Sequence, residues 1–209
     1  MTKPLIISDC DEVLLYMVTP FKEWLEEGEG VDFKLKGNDF ANALTWQETG
    51  ELVEPKDMWL FLRRFFDDEM HRQTPITGAV EGINALADHA DVVILTNLED
   101  KHQGSRAEQL AGHGINARVF TNQGPKGPAL EKILSEYNPS KAIFIDDLAQ
   151  HHHSALETVP HISRLHLCGE PMISPHITCA HKAGHADARI DNWAEALPWL
   201  MNELEGSAA

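Results

Sequence analysis

Three apolar runs in this 209-residue chain end on residues that can do chemistry. The first ends in Asp9-Cys10-Asp11-Glu12-Val13, the second in Thr96-Asn97 and the third in Asp146-Asp147. A lysine, Lys126, opens the helical stretch that leads into the third run. Carboxylates, a backbone carbonyl and waters are the ligand set of a hard cation such as Mg²⁺. A carboxylate can also attack a phosphorus centre, dividing one difficult step into two, and Asp9 is the candidate for that role. Its approach to an anionic phosphate is electrostatically opposed unless cations intervene. A divalent metal and Lys126 could supply that charge, with Thr96 and nearby backbone N–H groups holding phosphoryl oxygens.

Residues so far apart meet only if the fold brings strand ends together. Residues 4–8, 92–96, 117–121, 142–146 and 162–167 are short runs rich in Ile, Val and Leu without clean alternation, the pattern of parallel strands covered on both faces. Helical stretches are expected between them at 79–89, 105–113 and 127–137, the last with Pro128 in its first turn. The alternation predicts a doubly wound, Rossmann-like α/β fold, a parallel sheet in a three-layer sandwich. In such sheets ligands bind beyond the carboxyl ends of the strands, where these polar residues lie.

Roughly sixty residues separate the first run from the next unit, too many for a crossover and too apolar for a loose loop. They hold Trp24, Phe33, Phe40, Trp46, Trp59, Phe61, Phe65 and Phe66. Residues 15–73 therefore read as a small, mainly helical inserted subdomain, with helices at 20–27 and 56–71, between core segments 1–14 and 74–209. Trp59, Leu62 and Phe66 repeat at helical spacing, a packing stripe. Arg63 and Arg64 stand four residues before Asp67 and Asp68, so ion pairs along the helix are expected. The tail 191–204 reads as helical with Asp191 as N-cap and Pro198 kinking or splitting it.

Taken in order, these motifs resemble the haloacid dehalogenase-like superfamily. Its first motif is an apolar strand followed by Asp-x-Asp-x-Thr/Val, here Asp9 to Val13. Its second is a strand ending in Thr or Ser, here Thr96. Its third is a lysine before the fourth strand, here Lys126, and its fourth is an acidic pair, here Asp146-Asp147. The resemblance covers about residues 1–14 and 74–170, and it is the ordered set rather than any one motif that is specific. It implies a phosphatase acting through an aspartyl-phosphate on Asp9, with Mg²⁺ held by Asp9, Asp147 and the Asp11 backbone carbonyl. It gives Asp11 the proton transfers to the leaving group and from water, an acid that dehalogenating members lack. Lys126 with Thr96 and Asn97 would hold the phosphoryl group. Asp146 would orient Lys126 or a metal-bound water, although the two acids could exchange roles. The insertion would be a cap that excludes water and selects a nucleotide or another small phosphorylated metabolite. One departure stands out: many relatives place a further acid four or five residues after the pair, where this chain has Gln150 and His151.

Composition narrows the partners. A formal net charge of −16 disfavours polynucleotides. No apolar run reaches the about 18 residues that span a bilayer, and three cysteines suit a reducing cytoplasm better than a disulfide framework. Among the twelve histidines, His176, His181 and His185 with Cys179 have ligand types that could bind Zn²⁺ but lack regular paired spacing, and a polar loop is the simpler reading. His151, just past a strand end, could reach the mouth of the site. Two alternatives stay open beside hydrolysis: a non-catalytic binding or regulatory protein on the same fold, and phosphoryl transfer to another acceptor.

Overall fold

Strand β1 (Leu5–Ser8) is buried at every position, which requires cover on both faces and a neighbour on each edge. The computed structural model describes residues 2–35 and 42–206. After β1 the chain forms α1 (Val18–Trp24), β2 (Val31–Phe33), β3 (Leu44–Trp46) and α2 (Pro55–Arg64). It continues through α3 (Ala79–Ala87), β4 (Asp91–Thr96), α4 (Gln103–Gly112), β5 (Arg118–Thr121), α5 (Gly127–Tyr137) and β6 (Ala142–Asp146). It ends with α6 (Ala149–Thr158), β7 (Ser163–His166), β8 (Ala188–Arg189) and α7 (Trp193–Glu205). Two compact units result, Tyr16–Thr74 and the remainder.

In the larger unit the strands lie in the order β5-β4-β1-β6-β7-β8, and every pairing is parallel. The chain moves outward from β1 to β4 and β5, then crosses back to β6 on the other side of β1. That reversal places helices on both faces, because parallel crossovers are right-handed. Leu5, Ile7, Val93, Leu95 and Phe144 form one core with Leu130 and Ile133 of α5 and Ala155 of α6. On α3, Gly82 leaves room for the Trp193 ring of α7; a Cβ there would overlap it. Trp193 Nε1 also donates to the Val13 carbonyl at 2.8 Å, tying the last helix to the loop after β1. The fold is thus a doubly wound α/β sandwich.

Several local expectations are corrected. The last helix is capped by Asn192, whose side chain accepts from Glu195 N at 2.9 Å, while Asp191 pairs with Arg189 at 3.0 Å. The helix is not split at Pro198. Both Pro198 and Ala194, whose carbonyl loses its helical partner, are exposed, so water can satisfy that oxygen. Strand β8 spans two residues, too few for any periodicity to reveal.

The smaller unit is not wholly helical. Besides α1 and α2, β2 and β3 pair antiparallel, with Val31 opposite Trp46 and Phe33 opposite Leu44. Its core is aromatic: Phe21 meets Phe65 edge-on at 5.4 Å, and Phe61 meets Trp24 at 6.2 Å and Trp46 at 5.9 Å. The buried stripe is therefore Phe61 and Phe65, one residue from the expected stripe. Trp59 is 63% exposed, and Leu62 and Phe66 are half-buried. Both sets fit helical spacing, so spacing alone could not choose the face. Arg64 grips both oxygens of Glu29 at 2.6 and 2.8 Å, because the guanidinium fork matches a facing carboxylate, and Asp68 adds a smaller charge attraction. Phe40 lies outside the described residues.

Candidate active site

The carboxyl end of β1 lies between the ends of β4 and β6, and the parallel register sets what meets there. Ser8 is level with Ile145, and Asp9 N donates to the Ile145 carbonyl at 2.8 Å, so Asp9 emerges beside Asp146. Carboxylate oxygens of Asp9, Asp146 and Asp147 lie within 4.8 Å of one another, and all three residues are buried. Lys126, fully buried at the start of α5, reaches Asp9 Oδ1 at 2.8 Å and Asp146 Oδ2 at 2.6 Å. Gly127 makes this approach possible, for a Cβ there would overlap the Ser154 carbonyl and the Thr158 hydroxyl of α6.

The acidic pair divides its work. Asp146 spends Oδ2 on Lys126 and Oδ1 on the N–H of Leu148 at 2.8 Å. Burial is the largest influence on Asp146 and opposes its ionisation, but Lys126, His151 and His152 together outweigh it and hold Asp146 below the usual carboxylate range. Asp147 is pushed well above that range by burial and then by the charges of Asp146, Asp9 and Glu12. Asp9 is pushed up to about 7 by burial, which Lys126 only partly offsets and Asp146 and Asp11 reinforce. Burial alone would lower the Lys126 pKa, yet Asp146 and Asp9 raise it and keep the ammonium charged. The buried acids outnumber the buried cations, and the three converging carboxylates form a hard oxygen-donor set. The residues present therefore fit a divalent cation.

Thr96 ends β4 with its hydroxyl fully buried and without a hydrogen-bond partner among the described residues. Asn97 is exposed, and its side-chain amide is spent on the adjoining loop. Nδ2 donates to Gly124 O at 2.9 Å, and Oδ1 accepts from Asn122 at 2.8 Å. His151 lies beside it, Nε2 at 3.4 Å from Asn97 Nδ2, with a buried Nδ1 that has no partner among the described residues. Burial lowers its pKa and favours the neutral ring.

Asp11 lies on the same loop, but its side chain meets a residue that sequence reasoning missed. Arg106 Nη2 donates to both Asp11 oxygens, at 2.9 and 3.2 Å. A signal existed: Arg106 precedes Leu110 by four residues on the buried face of α4, where an apolar residue is usual. Glu12 was missed as well. It is 3% exposed and adopts a left-handed φ of 61°, which strains a side chain of this size. The His/Cys group near 176–185 does not gather. His181 Nδ1 contacts the Ala186 carbonyl at 3.0 Å, and the His185 ring lies tilted against His153 with centroids 4.5 Å apart. Among the described residues the acidic trio forms the metal-type cluster, and this group does not.

No family model and no curated protein matches the sequence. Solved structures do. A haloacid dehalogenase-like family hydrolase from Streptococcus pneumoniae is 13% identical, with a TM-score of 0.65 over 96% of this chain and 98% of that one. A HAD family hydrolase from Deinococcus radiodurans, with bound phosphate and sodium, is 16% identical, with a TM-score of 0.66 over 98% and 97%. A predicted phosphoglycolate phosphatase from Haemophilus somnus is 13% identical, with a TM-score of 0.60 over 96% and 99%. At these identities the likeness is one of architecture: this chain has the fold of the haloacid dehalogenase-like hydrolases.

Proposed function

We propose that the protein is a Mg²⁺-dependent phosphatase that cleaves a small phosphate monoester through an aspartyl-phosphate on Asp9. The observation that carries this reading is the convergence of Asp9, Asp147 and Lys126 past the ends of β1 and β6, with a Thr96 hydroxyl that has no partner among the described residues at the end of the adjacent β4. Asp9 and Asp147 would hold Mg²⁺ by their side chains and Asp11 by its backbone carbonyl; bound there, the ion neutralises phosphoryl charge. Asp146, with both oxygens committed to the protein, serves Lys126 rather than the metal. Thr96, Lys126 and main-chain groups at Asn97 hold the phosphoryl oxygens.

In the first step an Asp9 oxygen bonds to phosphorus and the bond to the leaving oxygen breaks, its electron pair going to that oxygen. Asp11 supplies the proton that makes it an alcohol. In the second step Asp11 takes a proton from water as the water oxygen attacks phosphorus, which frees Asp9 and inorganic phosphate. The inserted unit, with Trp59 and Leu60 among its exposed apolar side chains, is assigned substrate selection.

A panel of phosphorylated metabolites assayed with Mg²⁺ and with chelator tests the reading. Phosphate release that needs the metal and falls by at least about a thousandfold in Asp9→Asn is expected. Full activity in that variant, with deamidation checked by mass spectrometry, would remove Asp9 as nucleophile. No turnover and no beryllofluoride binding by the wild type would favour a non-catalytic binding protein.

A further inference from the structure

Arg106 is fully buried, and its guanidinium is spent around the first motif: Nη2 on both Asp11 oxygens, Nη1 on Cys10 Sγ at 3.2 Å. An apolar residue would fill the buried face of α4 without the desolvation that a guanidinium suffers there. The arginine is thus better explained by what it holds than by the stability it adds. With no exposed surface it does not touch substrate. Asp11, by contrast, keeps 17% of its side chain exposed, so one end is gripped while the carboxylate still borders solvent. Two rotatable bonds separate that carboxylate from the backbone, and Nη2, within hydrogen-bond distance of both oxygens, restricts both.

We propose that Arg106 is the positioning residue for Asp11, setting the direction from which the proton reaches the leaving oxygen. This rests on the phosphatase reading above. The step it governs is the first: as the Asp9–phosphorus bond forms and the phosphorus–oxygen bond breaks, a protonated Asp11 gives its proton to the departing oxygen and becomes the carboxylate that Arg106 grips in this structure. An alkoxide needs that proton, whereas a nitrophenolate leaves without it. The ratio kcat/KM reads the steps through this cleavage.

The test compares an alkyl phosphate with p-nitrophenyl phosphate in wild type, Arg106→Met, Arg106→Lys, Asp11→Asn and the Arg106→Met/Asp11→Asn double variant. Arg106→Met is expected to lower kcat/KM about 100-fold on the alkyl ester and within roughly threefold on the aryl ester. Arg106→Lys recovers part of the alkyl loss, since it restores the charge but not the planar guanidinium that also reaches Cys10 Sγ. The double variant is expected to be no slower than Asp11→Asn alone. Equal losses on both esters would assign Arg106 a purely structural role, and multiplying losses would separate it from Asp11; either overturns the proposal, as does an unaffected Arg106→Met. If Arg106→Met does not melt cooperatively, the same alkyl-to-aryl comparison is decided on Arg106→Lys. A wild type inactive on every ester strikes the phosphatase reading itself, whereas an active wild type with either overturning pattern strikes this proposal alone.

Discussion

Asp9 carries the tension of the site. Its carboxyl is pushed from an ordinary 3.8 to about 7 by burial, with Lys126 pulling the other way and Asp146 and Asp11 adding to the rise. The folded value lies above the unfolded one. The protonated form is therefore favoured in the metal-free protein, and ionising Asp9 opposes folding progressively from the ordinary carboxylate range up to about 7. A metal ion bound there would have to displace that proton, so its binding would release it. Mg²⁺ or Mn²⁺ affinity, measured by calorimetry, is expected to climb by roughly tenfold per pH unit or more below 7, since Asp147, raised by burial and the neighbouring acids, must give up a proton as well. An affinity flat from pH 5.5 to 8.5 would contradict an Asp9 held protonated. At this scale the sequence was informative about identity and not about pairing. Asp9, Thr96, Lys126 and Asp147 could be singled out because each ends or opens a recognisable element. That Asp11 is gripped by Arg106 could not be read, since the partners are 95 residues apart.

Among the elements, the junction of α5 with α6 matters most, because Lys126 opens α5 and Gly127 is its first contact with α6. Gly127 N donates to Ser154 Oγ at 3.0 Å, and nothing larger than hydrogen fits at its Cα. Gly127→Ala is expected to destabilise the protein by about 1–3 kcal/mol in denaturant titrations, by forcing the helices apart. It should also lower activity, because α5 carries Lys126 away from Asp9 and Asp146. Gly104→Ala is the control: it lies in α4 with open space around it and should be neutral or stabilising by up to about 1 kcal/mol. A Gly127→Ala variant as stable and active as Gly104→Ala would show that this close approach does not hold the lysine. The strands and helices around the site were legible from their lengths and composition. The hairpin β2–β3, the two-residue β8 and the buried face of α2 were not, because they are settled by what packs on them.

For the whole molecule, the larger unit is interrupted by Tyr16–Thr74 and yet closes on itself at the point of interruption. Leu15 pairs with Pro75 across an antiparallel bridge, and Ile76 N donates to the Leu14 carbonyl at 2.8 Å. The ends of the insertion are therefore adjacent, the condition under which an inserted unit can be removed. Replacing residues 16–74 by a short Gly-Ser turn is expected to leave a cooperatively melting protein with metal affinity within about tenfold of wild type. Discrimination among phosphorylated substrates should be lost with the insertion. A truncated chain that fails to melt cooperatively, or that keeps its substrate preferences, would count against this division of labour. The sequence by itself determined the α/β alternation and the order of the polar strand ends, because apolar runs and helix periodicity are local properties of the chain. Tertiary structure alone decided that Asp146 turns to Lys126 and Leu148, that Thr96 keeps a buried hydroxyl without a partner among the described residues, and that Arg106 reaches Asp11. Those outcomes depend on which side chains the packed sheet brings within hydrogen-bond distance, and no local pattern records that.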